Sequence, residues 1–114
     1  MIAVIFEVWP KPEYKDKYLE LAQQLRRSVE EIDGFISVER FQSITEENKM
    51  VSLSFFETET ALDQWRNTKA HRAAQQFGRS EYFADYRLRI ARIERDYTKT
   101  ERREVPKDSL ALFD

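Results

Sequence analysis

Two extended-looking runs, FISVERFQS (residues 35–43) and KMVSLSFF (residues 49–56), decide how this chain folds; the polar stretch ITEEN (residues 44–48) separates them. Both runs are rich in β-branched and aromatic residues. A connection of five residues between two such runs predicts a hairpin, so the runs are antiparallel neighbours. Upstream, MIAVIFEVW (residues 1–9) has the same character and stops at Pro10-Lys11-Pro12, where two prolines remove ladder donors. Pro12 suits the first turn of a helix. Tyr14, Tyr18, Leu21, Leu25, Val29 and Ile32 then recur at three- and four-residue steps up to Asp33-Gly34, with Gly34 as the helix stop.

Downstream of the hairpin, Thr58 is a suitable N-cap for a helix that begins at Glu59 and carries Trp65. The helix weakens at Asn67-Thr68, resumes from Ala70 to Phe77, and is ended or kinked by Gly78. Tyr82 to Tyr97 reads as a long last strand entered near Asp85. Its apolar phase moves from Tyr86, Leu88 and Ile90 to Ala91, Ile93 and Tyr97, which predicts a bulge or a change of partner surface within the strand.

The resulting order β-α-β-β-α-β is the ferredoxin-like, split βαβ arrangement: an α+β domain with a four-stranded antiparallel sheet and both helices on one face. The domain is expected over residues 1–97. Thr98 to Asp114 is a polar tail, expected to be loose unless Leu110-Ala111-Leu112-Phe113 docks, for example on a partner subunit. Strand one offers Ile2, Val4, Phe6 and Val8 on one side but Ala3, Ile5 and Trp9 on the other, so both sheet faces are apolar. Helices on one side cannot cover both, which predicts a homodimer packed sheet on sheet.

Composition narrows the chemistry. Among 114 residues there are two glycines, no cysteine and one histidine. Glycine-rich phosphate loops, thiolate zinc sites, cysteine nucleophiles and multi-histidine metal centres are thereby excluded. Nineteen basic against 21 acidic residues give a net charge of −2, and no glycine-aromatic RNA-binding motif is present, so no nucleic-acid partner is expected. The longest uninterrupted apolar run is Met1 to Phe6, with no basic segment before it. Neither a membrane span nor a signal peptide is expected, and the cytoplasm is the default location.

Few residues remain that could carry chemistry. His71 is the one group that ordinarily titrates near neutrality and is the first candidate base, set against a structural role on an amphipathic helix. Glu7 is a carboxylate inside an otherwise apolar strand. It is either paired with Arg40, Arg87 or Arg89 across the sheet, or faces a pocket as a second candidate base. Trp65 could wall a pocket for an aromatic substrate, with Trp9 and Phe55 as further candidate substrate contacts. On one ideal helix Trp65 and His71 would point about 120° apart, so they share a cavity only if the Asn67-Thr68 weakness bends the helix.

Four features carry a family resemblance: Ile32-Asp-Gly-Phe35, Ser54-Phe-Phe-Glu57, the Trp65-to-His71 spacing, and the strand from Tyr86 to Tyr97. Over residues 1–97 the chain resembles the antibiotic-biosynthesis monooxygenase domain. The resemblance implies a dimeric α+β barrel with a pocket between sheet and helices in each subunit. It also implies a monooxygenase that uses O₂ on a small aromatic or quinol substrate without metal or flavin. Such chemistry needs a base to remove a substrate proton and a dry pocket around the electron-rich anion that reduces O₂. Haem-cleaving relatives imply an alternative: haem binding or degradation, or a non-catalytic module for a hydrophobic ligand. Their iron-binding histidine falls at Gln75 here, so His71 would reach iron only if the second helix is irregular.

Overall fold

The computed structural model describes residues 1–77 and 81–113. Gly78, expected to end the second helical region, lies outside the described residues. The elements run β1 (Ile2–Pro10), α1 (Lys15–Val29), β2 (Phe35–Gln42), β3 (Met50–Phe56), α2 (Glu59–Arg66), α3 (Lys69–Phe77), β4 (Phe83–Arg92) and α4 (Lys107–Phe113). A single 3₁₀ turn at Pro12–Tyr14 leads into α1, as proline at a helix start favours.

The strands form one antiparallel sheet in the order β2-β3-β1-β4, which is the ferredoxin-like arrangement. β1 lies inside, pairing Phe6 with Ser52 on β3 and with Leu88 on β4. The β1–β4 ladder runs unbroken from Ile2–Arg92 to Trp9–Asp85 and shifts only at Pro10. A bulge after Ile90, one of the two expected causes of the phase change, is therefore absent. The apolar phase changes there because the strand ends at Arg92, beyond which the Ile93 N–H still donates to the Met1 carbonyl at 3.0 Å.

Alternation along β1 sends Ile2, Val4, Phe6 and Val8 toward the helices. One core cluster joins Ile2 and the fully buried Phe56 to Val29 of α1 and to Ala61, Leu62 and Trp65 of α2. A second joins Val8, Tyr18 and Met50, with Phe6 and Phe83 packed against it. Ile5, Glu7, Val51, Leu53 and Phe55 occupy the opposite face, in register across β1 and β3, and Trp9 continues the same alternation on β1.

Two local signals fix the connections. Gly34 has a φ of +91°, a conformation that L side chains rarely adopt, and a Cβ built there would lie 2.8 Å from the Ala61 Cβ. Glycine thus lets the exit of α1 pass close under the start of α2. At that start, the Thr58 hydroxyl accepts from the Ala61 N–H at 3.2 Å, the N-cap expected of it. The Thr98 N–H donates to the Glu101 carbonyl, Val105 is buried, and Lys107–Phe113 is helical. No described helix is long and apolar enough to cross a membrane.

Candidate functional site

A cavity of about 210 Å³ opens between the helix-facing side of the sheet and α1, α2 and α3. Its sheet wall carries Val4 and Phe6 of β1, Val38 and Arg40 of β2, Ser52, Ser54 and Phe56 of β3, and Tyr86, Leu88 and Ile90 of β4. The helices supply Tyr18, Leu25, Leu62, Trp65, Arg66, His71, Ala74 and Gln75, among others. The lining is mostly apolar, with a few convergent polar groups, which is the composition of a small-molecule site.

Trp65 and His71 meet because the helix breaks between them. α2 ends at Arg66, and Thr68 occupies the break: its hydroxyl donates to the Trp65 carbonyl at 2.9 Å and accepts from the His71 N–H at 3.2 Å. Asn67 braces the same break, donating to the Asp63 carbonyl at 2.8 Å and accepting from Arg72 at 2.6 Å. The turn brings the two rings to a centroid distance of 5.0 Å at 62°, an edge-to-face contact that the 120° separation of a straight helix would prevent. This is the bend on which a shared cavity depended.

The protonation state of His71 follows from its surroundings. Burial pushes its pKa below the ordinary histidine value; the Arg66 carbonyl opposes that, and the nearby charges of Arg72 and Arg66 push the same way as burial. The imidazole is thus held neutral. Nδ1 lies 3.3 Å from the Arg66 carbonyl, which can only accept, so Nδ1 carries the proton and Nε2 the lone pair. A neutral imidazole with a tautomer set by the backbone can take a proton from a substrate.

Glu7, Trp9 and Phe55 do not line this cavity: for Glu7 the cross-strand pair, one of its two expected roles, is the one found, whereas Trp9 and Phe55 lie away from where a substrate contact was expected. Their positions on β1 and β3 are out of phase with Phe6 and Ser54, so they sit on the opposite face of the sheet. There Glu7 binds Arg89 at 2.8 Å and Lys49 at 3.4 Å. Desolvation would raise the Glu7 pKa, but the charges and hydrogen bonds of Lys49 and Arg89 outweigh it and hold the carboxyl below its ordinary value. It is an ion-paired anion. Trp9 donates to Glu46 at 3.0 Å and has the Lys49 ammonium over its ring at 5.1 Å. Arg89, one of the three partners considered for Glu7, is the one it takes; Arg40 lies on the cavity side.

The sequence named Arg40 only as a possible partner of Glu7 and Tyr18 only as a helix-face residue, although Arg40 stands in phase with Val38 on the covered face of β2. Burial pushes the Tyr18 hydroxyl above its ordinary pKa, partly offset by the Arg40 guanidinium beside it. Gln75 also lines the cavity, and its Oε1 accepts from Arg72 at 3.4 Å. Among the described residues no three His, Cys, Asp or Glu side chains converge to hold a metal ion.

Comparison with known proteins agrees with this architecture. The model of the family described as "Antibiotic biosynthesis monooxygenase" matches residues 1–76. A Pyricularia oryzae protein named jasmonate monooxygenase is 42% identical over 93 residues, which are 82% of this chain but 43% of that protein, so this chain spans less than half its length. YqjZ of Bacillus subtilis is 29% identical over 93 residues, covering 82% of this chain and 79% of that one. The structure of Rv0793 from Mycobacterium tuberculosis superposes with a TM-score of 0.76 at 16% identity, over 85% of this chain and 98% of that one. This chain belongs to the antibiotic biosynthesis monooxygenase family.

Proposed function

We propose that this protein is a monooxygenase that oxidises a small hydrophobic substrate, aromatic or quinol in character, with O₂ and without a resident cofactor, in the cavity between sheet and helices. The observation that carries this reading is the Trp65–His71 pair on the cavity wall, with His71 neutral and its Nδ1 proton directed to the Arg66 carbonyl. His71 takes a proton from the substrate at Nε2, leaving an electron-rich anion among mostly apolar side chains to reduce O₂. With anthrone, the methylene loses two hydrogens and gains one oxygen atom, and the second oxygen atom leaves as water. The substrate supplies every electron. Trp65 packs against the substrate ring as it packs against His71.

The test is oxygen uptake with anthrone and hydroquinone. Jasmonate, the compound in the name of the Pyricularia relative, completes the panel. Wild-type protein is expected to consume O₂ with at least one of them, and His71→Ala to lose about 10²-fold or more of that rate, the usual scale of a positioned base. Equal rates in the two proteins would remove His71 from the role, and no uptake with any substrate would defeat the reading.

The reading includes a homodimer. Ile5, Val51, Leu53, Phe55 and Phe41 give the face away from the cavity an apolar surface, with Phe41 still 44% exposed, and a second copy packed on it would remove that surface from water. Sedimentation at micromolar concentration should give a dimer that Leu53→Glu dissociates; a stable wild-type monomer would refute it.

A further inference from the structure

The cavity wall carries three arginines, Arg26, Arg40 and Arg66, and no aspartate or glutamate among its described residues, in a chain whose acidic residues outnumber its basic ones. Two of the three are neutralised from outside: Arg26 by Glu30 at 3.2 Å and Arg66 by Asp63. Arg40 differs. No carboxylate lies within salt-bridge distance of it among the described residues, and its Nε is shut off from solvent without an acceptor. Its strand neighbour across the ladder is Ser52, which contributes a hydroxyl and no charge.

A guanidinium that faces an apolar cavity without an acid is costly, and an unsatisfied buried donor adds to that cost. The Tyr18 hydroxyl is a hydrogen-bond partner of the guanidinium, but it carries no charge, so among the described residues the positive charge stays without a counter-ion. Arg40 also borders a shallow cleft with Leu19, Arg26 and Glu39 between α1 and β2, so it sits where the cavity approaches the surface. Planar and forked, a guanidinium pairs with a carboxylate through two parallel hydrogen bonds.

We propose that Arg40 recognises the carboxylate of the substrate, so that the cavity selects small hydrophobic acids, the acid group lying at Arg40 and the apolar body between Phe6, Leu25 and Trp65. This deepens the reading of the cavity as the substrate site and rests on it. Arg40 is a specificity-determining residue here; the proton transfer stays with His71.

The test uses 3-phenylpropionate and its methyl ester as probes, with binding to the full chain followed by calorimetry. Wild-type protein is expected to bind the acid about ten- to hundredfold more tightly than the ester, the usual worth of a hydrogen bond to a charged group. Arg40→Met should abolish the preference by weakening acid binding and sparing the ester, while Arg40→Lys should keep part of it. Met fills a similar volume without a charge to desolvate, so this variant should fold; if it does not, Arg40→Gln takes its place. Equal binding of acid and ester by wild type, an acid preference that survives Arg40→Met, or failure of both probes to bind at millimolar concentration would each overturn the proposal. Oxygen uptake with neutral anthrone is scored separately, so loss of the acid preference and loss of the monooxygenase reading give different results.

Discussion

Thr68→Val tests whether the break between α2 and α3 is what assembles the Trp65–His71 pair. The substitution keeps the branched shape and removes one hydroxyl, which donates to the Trp65 carbonyl at 2.9 Å and accepts from the His71 N–H at 3.2 Å. Each hydrogen bond is worth about 0.5–1.5 kcal/mol net, and loss of a capping hydroxyl costs about 1 kcal/mol. The Trp65 carbonyl keeps a second donor, the Thr68 N–H at 3.1 Å, so the cost is held to the lower half of that sum. Thr68→Val should therefore lose about 1–2 kcal/mol, a fall in Tm of about 4–8 °C for a domain of this size. The functional consequence reads out on the ring itself. His71 is the one histidine in the chain, so its imidazole protons give a single NMR titration. Released from Trp65 and the Arg66 carbonyl into water, the ring should titrate higher, toward its ordinary value, and oxygen uptake should fall with it. Thr68→Ser keeps the hydroxyl and should titrate as wild type does. If Thr68→Val unfolds within about 0.5 kcal/mol of wild type, as an inert surface substitution would, and its His71 titration does not move, the hydroxyl is not what holds the pair together.

Three further outcomes follow from the same geometry. Gly34→Ala puts a Cβ 2.8 Å from the Ala61 Cβ at a φ of +91°. Left-handed strain plus overpacking should cost about 2–4 kcal/mol in urea denaturation, and a loss under 0.5 kcal/mol would mean that the close approach is not real. Glu7→Gln removes the acid shared by Arg89 and Lys49 on the face away from the cavity. Because the folded pKa of Glu7 is lowered, its contribution to stability is present above the ordinary carboxylate range and is lost as pH falls through the folded value. The variant should therefore lose less stability on acidification than wild type while its oxygen-uptake kinetics stay the same; a large loss of kcat would put Glu7 back in the chemistry. For His71 the folded pKa is also lowered, so neutral histidine stabilises the fold above about pH 6.5 and that stabilisation is lost as pH falls below it. The acid limb of kcat/KM should accordingly fall below pH 6.5, and a limb at or above pH 7 would contradict the burial of the ring.

Much of this was legible along the chain because it is local. The hairpin rests on two apolar runs and a polar loop, the exit of α1 on Gly34, the start of α2 on Thr58, and the break on Asn67-Thr68; each is decided by residues within a few positions of one another. The end of β4 was not legible in the same way. Ala91 and Ile93 look like a change of phase in one dimension, whereas the ladder with β1 runs straight to Arg92 and ends there.

Side-chain fate on the sheet needed the third dimension. Alternation on β1 separates Phe6 from Glu7 but does not say which of the two faces the helices cover, because that depends on how α1 and α2 pack across the sheet. Once they pack on the side of Ile2 and Phe56, Glu7, Trp9 and Phe55 turn away from the cavity, and the carboxylate that stands out most in the sequence becomes an ion pair with Arg89 and Lys49. The same packing brings Arg40, inconspicuous in a strand read by itself, to the cavity wall without an acid beside it. The sequence by itself determined the order of the elements and the place where the second helix breaks. Only the tertiary structure decided which charges face the cavity, because burial and pairing are properties of both sides of a contact.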